Sequence, residues 1–357
     1  MKYFSDCKHF RGDVPCRPHK QEGVHCEGCP HYLPIDRNIL IIKLGAIGDV
    51  IRTTPLIRKI RELYPAARLW WLSHTPEILP SEVDVPMRFD LRSVITLLSI
   101  NFDLLVNLDK DREACSLTDR IEASVKKGFI LRNGVCAPLD EDARHKFLTG
   151  IFDDVSKANT RNYLDEMFEI VGYEWKGEEY LLDPPEKVFD LGLAEILPVI
   201  GLNTGCGGRW TSRLWPEQHW VQLAKMLIAK GFLPLFLGGE QEHEKNMRLA
   251  AESGGRYLGH FPLPIFIAEM NACDLIVSGV TMAMHIAIGL RKKLILFNNI
   301  FNRHEFELFG RGEIIEPSKP CTCFYQPRCV NPDYHCMDYI APETVLDRIE
   351  HWIAEAV

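Results

Sequence analysis

Eight of the chain's twelve cysteines fall in two groups, Cys7, Cys16, Cys26 and Cys29 near the amino end and Cys321, Cys323, Cys329 and Cys336 near the carboxyl end. Soft thiolates gathered in this way suit zinc, iron or an iron–sulfur cluster. The first group ends in a CxxC and has His9, His19, His25 and His31 as spare ligands. The second opens with a CxC, a less usual zinc spacing, so loosely packed thiols or ligation shared with the first group are the alternatives to a metal of its own. Cys115, Cys136, Cys206 and Cys273 stand alone and read as small core residues. A second kind of chemistry is offered by Gly45-x-x-Gly48-Asp49. An Asp at the mouth of a strand and the start of a helix is either a helix cap or an exposed carboxylate that takes a proton from a hydroxyl. Just beyond it come Arg52, Arg58, Lys59 and Arg61, either a solvated helix face or a place where the phosphates of an anionic acceptor settle.

The elements that must position these residues follow from hydrophobic patterning. Asn38-Ile-Leu-Ile-Ile-Lys-Leu44 is an apolar run of the kind buried on both faces in a parallel sheet, and Val50 to Tyr64 has helical spacing. Arg68–Leu72 and Phe102–Leu108 repeat the strand signal. A second cycle starts near residue 197, with strands expected at 198–203, 233–237, 273–278 and 293–297, a helix from Pro216 to Lys230 and another containing Met284 to Leu290. Strands alternating with helices imply an α/β protein with parallel sheets, whose ligands sit beyond the carboxyl ends of the strands. The expected organisation is a Cys-rich module at 1–36, a first domain at 37–190 and a second at 191–357 containing the Cys-rich segment 321–336.

Composition agrees with an ordinary globular chain. A length of 357 residues suggests two domains, and 46% hydrophobic residues are enough for sizeable cores. The net charge of -8 argues against a generally basic nucleic-acid binder. No apolar run approaches a membrane span, and the opening residues lack a signal peptide's hydrophobic stretch, so the expected location is the cytoplasm, where thiols stay reduced.

Four stretches taken in order carry a resemblance. They are Ile39-Leu-Ile-Ile-Lys-Leu-Gly-Ala-Ile-Gly-Asp-Val-Ile-Arg-Thr-Thr-Pro55, Ile200-Gly-Leu-Asn-Thr-Gly-Cys-Gly-Gly208 with Arg213-Leu-Trp-Pro216, Leu237-Gly-Gly-Glu-Gln-Glu-His-Glu244, and Ser278-Gly-Val-Thr-Met-Ala-Met-His285. Over about residues 38 to 350 the chain resembles the glycosyltransferase family 9 enzymes, the ADP-heptose:lipopolysaccharide heptosyltransferases. The resemblance implies a GT-B architecture, two Rossmann-like domains with a cleft between them, the acceptor on the first and the nucleotide-sugar on the second.

It also implies roles. Asp49 would be the general base of an inverting transfer, and Gly45, Gly48 and Arg52 would belong to the acceptor side or its loop. Thr204 and Gly205 would form the phosphate-facing loop, Arg213 would meet the leaving diphosphate, and Thr281, Met282 and Ala283 would present backbone N–H groups to it. Glu242 would hold the ribose. His285 would lie near the phosphates, orient its helix, or serve as a buried structural residue. ADP-heptose is the implied donor and a glycan or glycolipid the acceptor, with peripheral contact at the inner face of the membrane. No catalytic cofactor is implied, so zinc, iron or an iron–sulfur cluster at the cysteines would be structural. One departure concerns the donor, since Val280-Thr281-Met282 stands where the family usually carries Asp-Thr-Gly. Two alternatives therefore stand beside the heptosyltransferase reading: a different nucleotide sugar, or an inactive fold serving as a metal- or redox-sensing binding protein.

Overall fold

A computed structural model describes residues 1–192 and 197–354. Residues 193–196 and 355–357, part of the expected second domain, lie outside the described residues. The chain forms two compact units. One comprises Met1–Ala46, Thr53–Phe147 and Asp165–Glu178; the other comprises Ile47–Arg52, Leu148–Leu164 and Glu179–Val357.

The first unit is built on β1 (Asn38–Ile42), β2 (Arg68–Ser73), β3 (Val85–Arg88), β4 (Phe102–Asn107), β5 (Ala123–Arg132) and β6 (Val135–Pro138). Their order is β3-β2-β1-β4-β5-β6, parallel except for the β5–β6 hairpin. Residues Ile39 to Ile42 are buried at every position, which is why β1 reads as an unbroken apolar run rather than an alternating one. The strand order reverses between β1 and β4. Lys43 follows β1 there, Asp109 follows β4, and the two form a buried ion pair. The other Asp109 oxygen accepts the backbone N–H of Leu44, and the Lys43 ammonium also donates to the Gly45 carbonyl at 2.7 Å.

The amino-terminal Cys-rich segment belongs to this unit. Apart from the helix Arg17–Glu22 it is made of loops. It is tied down by a bridge between Cys7 and Pro34, a Lys8–Asp84 ion pair at 2.8 Å, and the Arg68 guanidinium donating to the carbonyls of Cys7 at 2.9 Å and Lys8 at 3.1 Å.

The second unit carries β7 (Val199–Asn203), β8 (Leu233–Leu237), β9 (Leu275–Gly279), β10 (Lys293–Phe297) and β11 (Gly312–Ile315). The sheet is parallel in the order β11-β10-β9-β7-β8, reversing between β7 and β9. Its core gathers Trp215, Trp220, Phe236 and Phe297, and the two tryptophans meet edge to face with centroids 4.7 Å apart. The α/β class with two parallel sheets and a Cys-rich amino-terminal segment is as expected.

Two local features differ from expectation. The helix anticipated from Val50 to Tyr64 is two helices, Ile47–Thr53 and Pro55–Leu63. Pro55 has no N–H to donate and its ring crowds the preceding turn, so the first helix stops before it. The β5–β6 hairpin was not anticipated. Among the described residues no helix is long and apolar enough to cross a membrane.

Candidate functional site: a pocket at the second switch point

Beyond the carboxyl ends of β7, β8 and β9 lies a pocket of about 460 Å³. Its walls include Gly205, Arg213, Glu242, Thr281, Met282 and Ala283, all expected on the nucleotide-sugar side, together with Asn203, Cys206, Gly207, Gln241 and Phe266. The Asn203 amide reaches across the point of reversal, donating to Ser278 Oγ at 3.0 Å and Thr281 Oγ1 at 3.3 Å. Thr281 caps the helix Met282–Gly289 and accepts the Ala283 N–H at 3.2 Å. Ala283 therefore gives its amide to the cap, and the helix N-terminus keeps its partial positive charge facing the pocket.

Close approach of Glu242 favours glycine at 205. A Cβ there would stand 2.3 Å from Glu242 Cδ. Glu242 is in turn held by the Gly239 N–H, which donates to Oε2 at 3.1 Å. Arg213 is braced by two carbonyls, donating to Cys206 O at 3.1 Å and to Val280 O. Burial pulls its pKa down from the usual arginine range, yet a guanidinium remains charged at any physiological pH. Lys245 donates to the Thr204 carbonyl at 3.0 Å, and burial lowers its pKa. Thr204 is buried with its hydroxyl on Asn246 and does not line the pocket. Val280 shows the pocket its role through its carbonyl on Arg213, and its side chain is not among the lining groups.

His285 lies elsewhere in the same unit. It is buried, its ring packs against Gly48, where a Cβ would come within 2.5 Å of Cδ2, and it stacks with Tyr180 at 6.1 Å. Burial, with the Arg52 charge adding to it, pushes its pKa down to about 3, so it is neutral at physiological pH. Asp49 stands one helical position beyond Gly48 and pairs with Arg52 at 2.9 Å. Arg52 is no free landing place for acceptor phosphates, since its guanidinium also lies 3.3 Å from the centre of the Tyr163 ring. Lys59 and Arg61, on the following helix, are occupied as well, by Glu62 at 3.0 Å and Asp84 at 2.7 Å. Gly45 falls in the first unit, near His74.

All twelve cysteines are free thiols. Cys7, Cys16, Cys26 and Cys29 line one small cavity with His25. In the carboxyl-terminal group Cys323 and Cys329 have sulfurs 3.7 Å apart. Backbone N–H groups of Cys323 and Val330 donate to the sulfurs of Cys321 and Cys323, each at 3.3 Å. The Cys321 thiol, together with the Asn299 amide, lowers the pKa of Cys336 to about 6. Asn299 donates to Cys336 Sγ at 3.3 Å and to the Ser212 carbonyl at 2.9 Å. The donor chemistry suits a thiophilic metal, although among the described residues no three His, Cys, Asp or Glu side chains already stand as a coordination shell.

Among the lining residues, sequence reasoning gave no individual role to Asn203, Gly207, Gly239, Glu240, Gln241 and Phe266, and Cys206, expected as a small core residue, lines the pocket instead. Asn203 had a signal, a lone amide ending an apolar strand before a glycine turn. Phe266 had none, because it sits among the apolar residues of the helix Leu263–Asn271 and only folding aims it at the pocket.

A parallel α/β sheet with Arg213, Glu242 and a helix N-terminus converging at its switch point defines a Rossmann-like unit. The chain belongs to glycosyltransferase family 9 (heptosyltransferase), whose family model matches residues 96–301. It is 27% identical over 113 residues to lipopolysaccharide heptosyltransferase 2 of Salmonella typhimurium, 30% of this chain and 32% of that protein. The Escherichia coli K12 protein of the same name is 30% identical over 105 residues, 28% of this chain and 30% of its own. The chain thus spans about a third of the length of the curated relatives it matches. Likeness of fold extends further. A glycosyltransferase family 9 structure from Veillonella parvula has a TM-score of 0.67 at 16% identity, covering 90% of this chain and 98% of that one. E. coli ADP-heptose lipopolysaccharide heptosyltransferase II gives 0.66 at 17%, covering 89% and 99%. The iron-containing dodecameric glycosyltransferase TibC of enterotoxigenic E. coli gives 0.57 at 14%, covering 90% and 78%. These likenesses establish the GT-B fold.

Proposed function

We propose that the protein is an inverting glycosyltransferase that moves a sugar, heptose from ADP-heptose, onto a lipopolysaccharide-core-like or other glycan acceptor at the inner face of the membrane. The observation carrying this reading is the convergence of Gly205, Arg213, Glu242 and the Thr281–Ala283 helix start on one pocket. The domain carrying it, 191–357 in the sequence reading, is then the nucleotide-sugar domain and 37–190 the acceptor domain. Glu242 accepts from the ribose hydroxyls, and Arg213 with the helix N-terminus meets the diphosphate.

Asp49 is the base. Its carboxylate takes the proton of an acceptor hydroxyl as that oxygen attacks the anomeric carbon, and the bond from this carbon to the diphosphate oxygen breaks on the opposite face. The nucleoside diphosphate leaves with the electron pair. Its growing charge is what Arg213 stabilises more strongly in the transition state than in the bound donor. No cofactor enters these steps. Zinc, iron or an iron–sulfur cluster held by Cys7, Cys16, Cys26 and Cys29, or by Cys321, Cys323, Cys329 and Cys336, is proposed as structural, supported by the four thiols around one cavity and the thiol contacts around Cys323.

The test is a screen of nucleotide sugars with release of nucleotide as the readout, run with and without a lipopolysaccharide-core acceptor. Acceptor-dependent release of ADP from ADP-heptose, above all other donors, supports the reading. Preference for another nucleotide sugar favours the alternative motivated by Val280. The absence of turnover with any donor, with nucleotide still bound, favours the inactive scaffold.

A further inference from the structure

We propose that Cys7, Cys16, Cys26 and Cys29 hold an iron–sulfur cluster, not a single metal ion, and that this cluster is the core of residues 1–36. The inference rests on the structural-metal reading given above for this group, narrows it to one chemistry, and does not depend on which sugar the donor carries.

The segment needs such a centre. Of its residues only Cys7 and Pro18 are buried. A polar stretch of that size has too little apolar burial to order itself, and ligation can supply the missing folding energy. Its turns deliver four thiols to one place. Cys7 sits at the bridge to Pro34, between the Lys8 N–H donating to Leu33 O and the Ile35 N–H donating to Asp6 O, each at 2.7 Å. Cys16 precedes the helix Arg17–Glu22, and its carbonyl accepts the Lys20 N–H at 3.0 Å. Cys26 and Cys29 close a tight turn, the Cys29 N–H donating to the Cys26 carbonyl at 3.2 Å. Gly28 within it has a φ of +80°, a left-handed conformation that glycine adopts without strain. All four cysteines line one cavity, whose wall also includes Phe4, Phe10 and Tyr32. Aromatic side chains around thiolates limit the access of water, and such burial is one of the controls on an iron–sulfur centre.

Spacing separates a cluster from an ion. One zinc ion bonds its thiolates at about 2.3 Å and so draws four sulfurs to within roughly 4 Å of one another. Cys323 and Cys329 of the carboxyl-terminal group stand that close, at 3.7 Å. In the amino-terminal group the thiols surround a cavity of about 20 Å³, more than the roughly 10–15 Å³ that one water needs. His9, His25 and His31 share its wall, yet among the described residues no three of these Cys and His side chains stand as the shell of one ion. A cluster carries its own sulfides at the centre and holds its cysteines apart, and each thiol gives up its proton on binding iron.

The seat of the segment points to support rather than catalysis. Arg68, which donates to the carbonyls of Cys7 and Lys8, opens β2, and Asp84, which pairs with Lys8, immediately precedes β3. Both stand at the amino ends of their strands, whereas ligands of a parallel sheet sit beyond the carboxyl ends.

The experiment uses the full chain, purified without oxygen from cells given both iron and zinc. Iron and acid-labile sulfide in a ratio near one, with a visible charge-transfer band that dithionite bleaches, are expected. Zinc, or iron without sulfide, would overturn the cluster and leave a single structural ion; no metal at all would overturn the metal reading of this group as well. Cys26→Ser should lose sulfide and band, and Cys323→Ser should keep both. The reverse pattern would give the cluster to the carboxyl-terminal group and overturn the assignment. If Cys26→Ser does not fold, the parent decides through alkylation read by mass spectrometry. Cys7, Cys16, Cys26 and Cys29 should resist it until ferricyanide and a chelator have stripped the iron and the thiols have been reduced again, and ready alkylation before stripping refutes the cluster. Stripping should also open residues 1–36 to trypsin while nucleotide affinity, measured by calorimetry, stays within about twofold of the parent's. A fall in affinity as large as that caused by Arg213→Ala would overturn the purely structural role.

Discussion

The two sheets reverse their strand order in the same way, yet the spaces beyond the two switch points differ. In the first unit the space between β1 and β4 is filled by Lys43 and Asp109, buried, paired and tied to the backbone of Leu44 and Gly45. In the second, the switch-point strands β7 and β9 are followed two residues on by Gly205 and Thr281, and what remains is a pocket. Residues that neutralise one another close a switch point. Residues that bond along its rim, as Asn203 does to Ser278 and Thr281, hold it open. A shared topology therefore says where a ligand would sit, and the side chains say whether it does.

The strongest way to break this contrast is Asp109→Asn. It takes one charge out of the buried pair with Lys43, and the expected loss of stability is about 3–5 kcal/mol. Chemical denaturation followed in the presence and absence of nucleotide checks it. Unaltered nucleotide affinity is expected of whatever fraction stays folded, and a loss of affinity comparable to that of a pocket variant would erase the distinction. Arg213→Ala should do the reverse. Loss of a charge-assisted contact to diphosphate is worth about 1.5–3 kcal/mol, a fall in affinity of roughly 10- to 100-fold by calorimetry, while the melting temperature falls less than for Asp109→Asn, because the hydrogen bonds lost go to the carbonyls of Cys206 and Val280 rather than to a buried opposite charge.

A smaller effect sharpens the contrast by pH. His285 has a folded pKa of about 3 against an ordinary 6.5. Above pH 6.5 it is neutral in both states and its contribution is complete; as pH falls below 6.5 the unfolded chain takes up a proton that the folded one refuses, and stability declines. By pH 5 the loss is about 2 kcal/mol. His285→Gln should flatten this part of the stability profile of the second unit, measured by denaturation between pH 7.5 and 5. A parent and variant that decline in parallel would show that His285 is more hydrated than its packing indicates.

Much of the scaffold could be read from the chain itself, for a physical reason: strands buried on both faces have to be apolar throughout, so Ile39–Ile42 and Leu294–Phe297 announce themselves. Gly205, Arg213, Glu242 and Thr281 were legible through motif order. Features decided by tertiary contact were not. Nothing in the sequence places Phe266 at the pocket rather than in the core, spends the Ala283 amide on Thr281, or turns Arg52 inward onto Tyr163, which from spacing alone is as good an exposed cation as Arg58. The Cys-rich amino-terminal segment was recognisable by composition, but its seat on Arg68 and Asp84 depends on groups sixty or more residues away.

The backbone of Ser212, next to Arg213, is held entirely by the carboxyl-terminal Cys-rich segment and its partner Asn299. Its N–H donates to Pro327 O at 3.1 Å and its hydroxyl to Gln326 O at 2.6 Å, while its carbonyl receives Asn299 at 2.9 Å and His335 lies 3.1 Å from the same oxygen. A chain so strapped cannot fray one residue at a time. The loop carrying the arginine and the loop carrying four cysteines should open and close as a single cooperative unit, so that the amides of Ser212 and Val330 exchange with solvent deuterium at one shared rate, and anything that staples or loosens the thiols retunes how often Arg213 leaves the pocket wall.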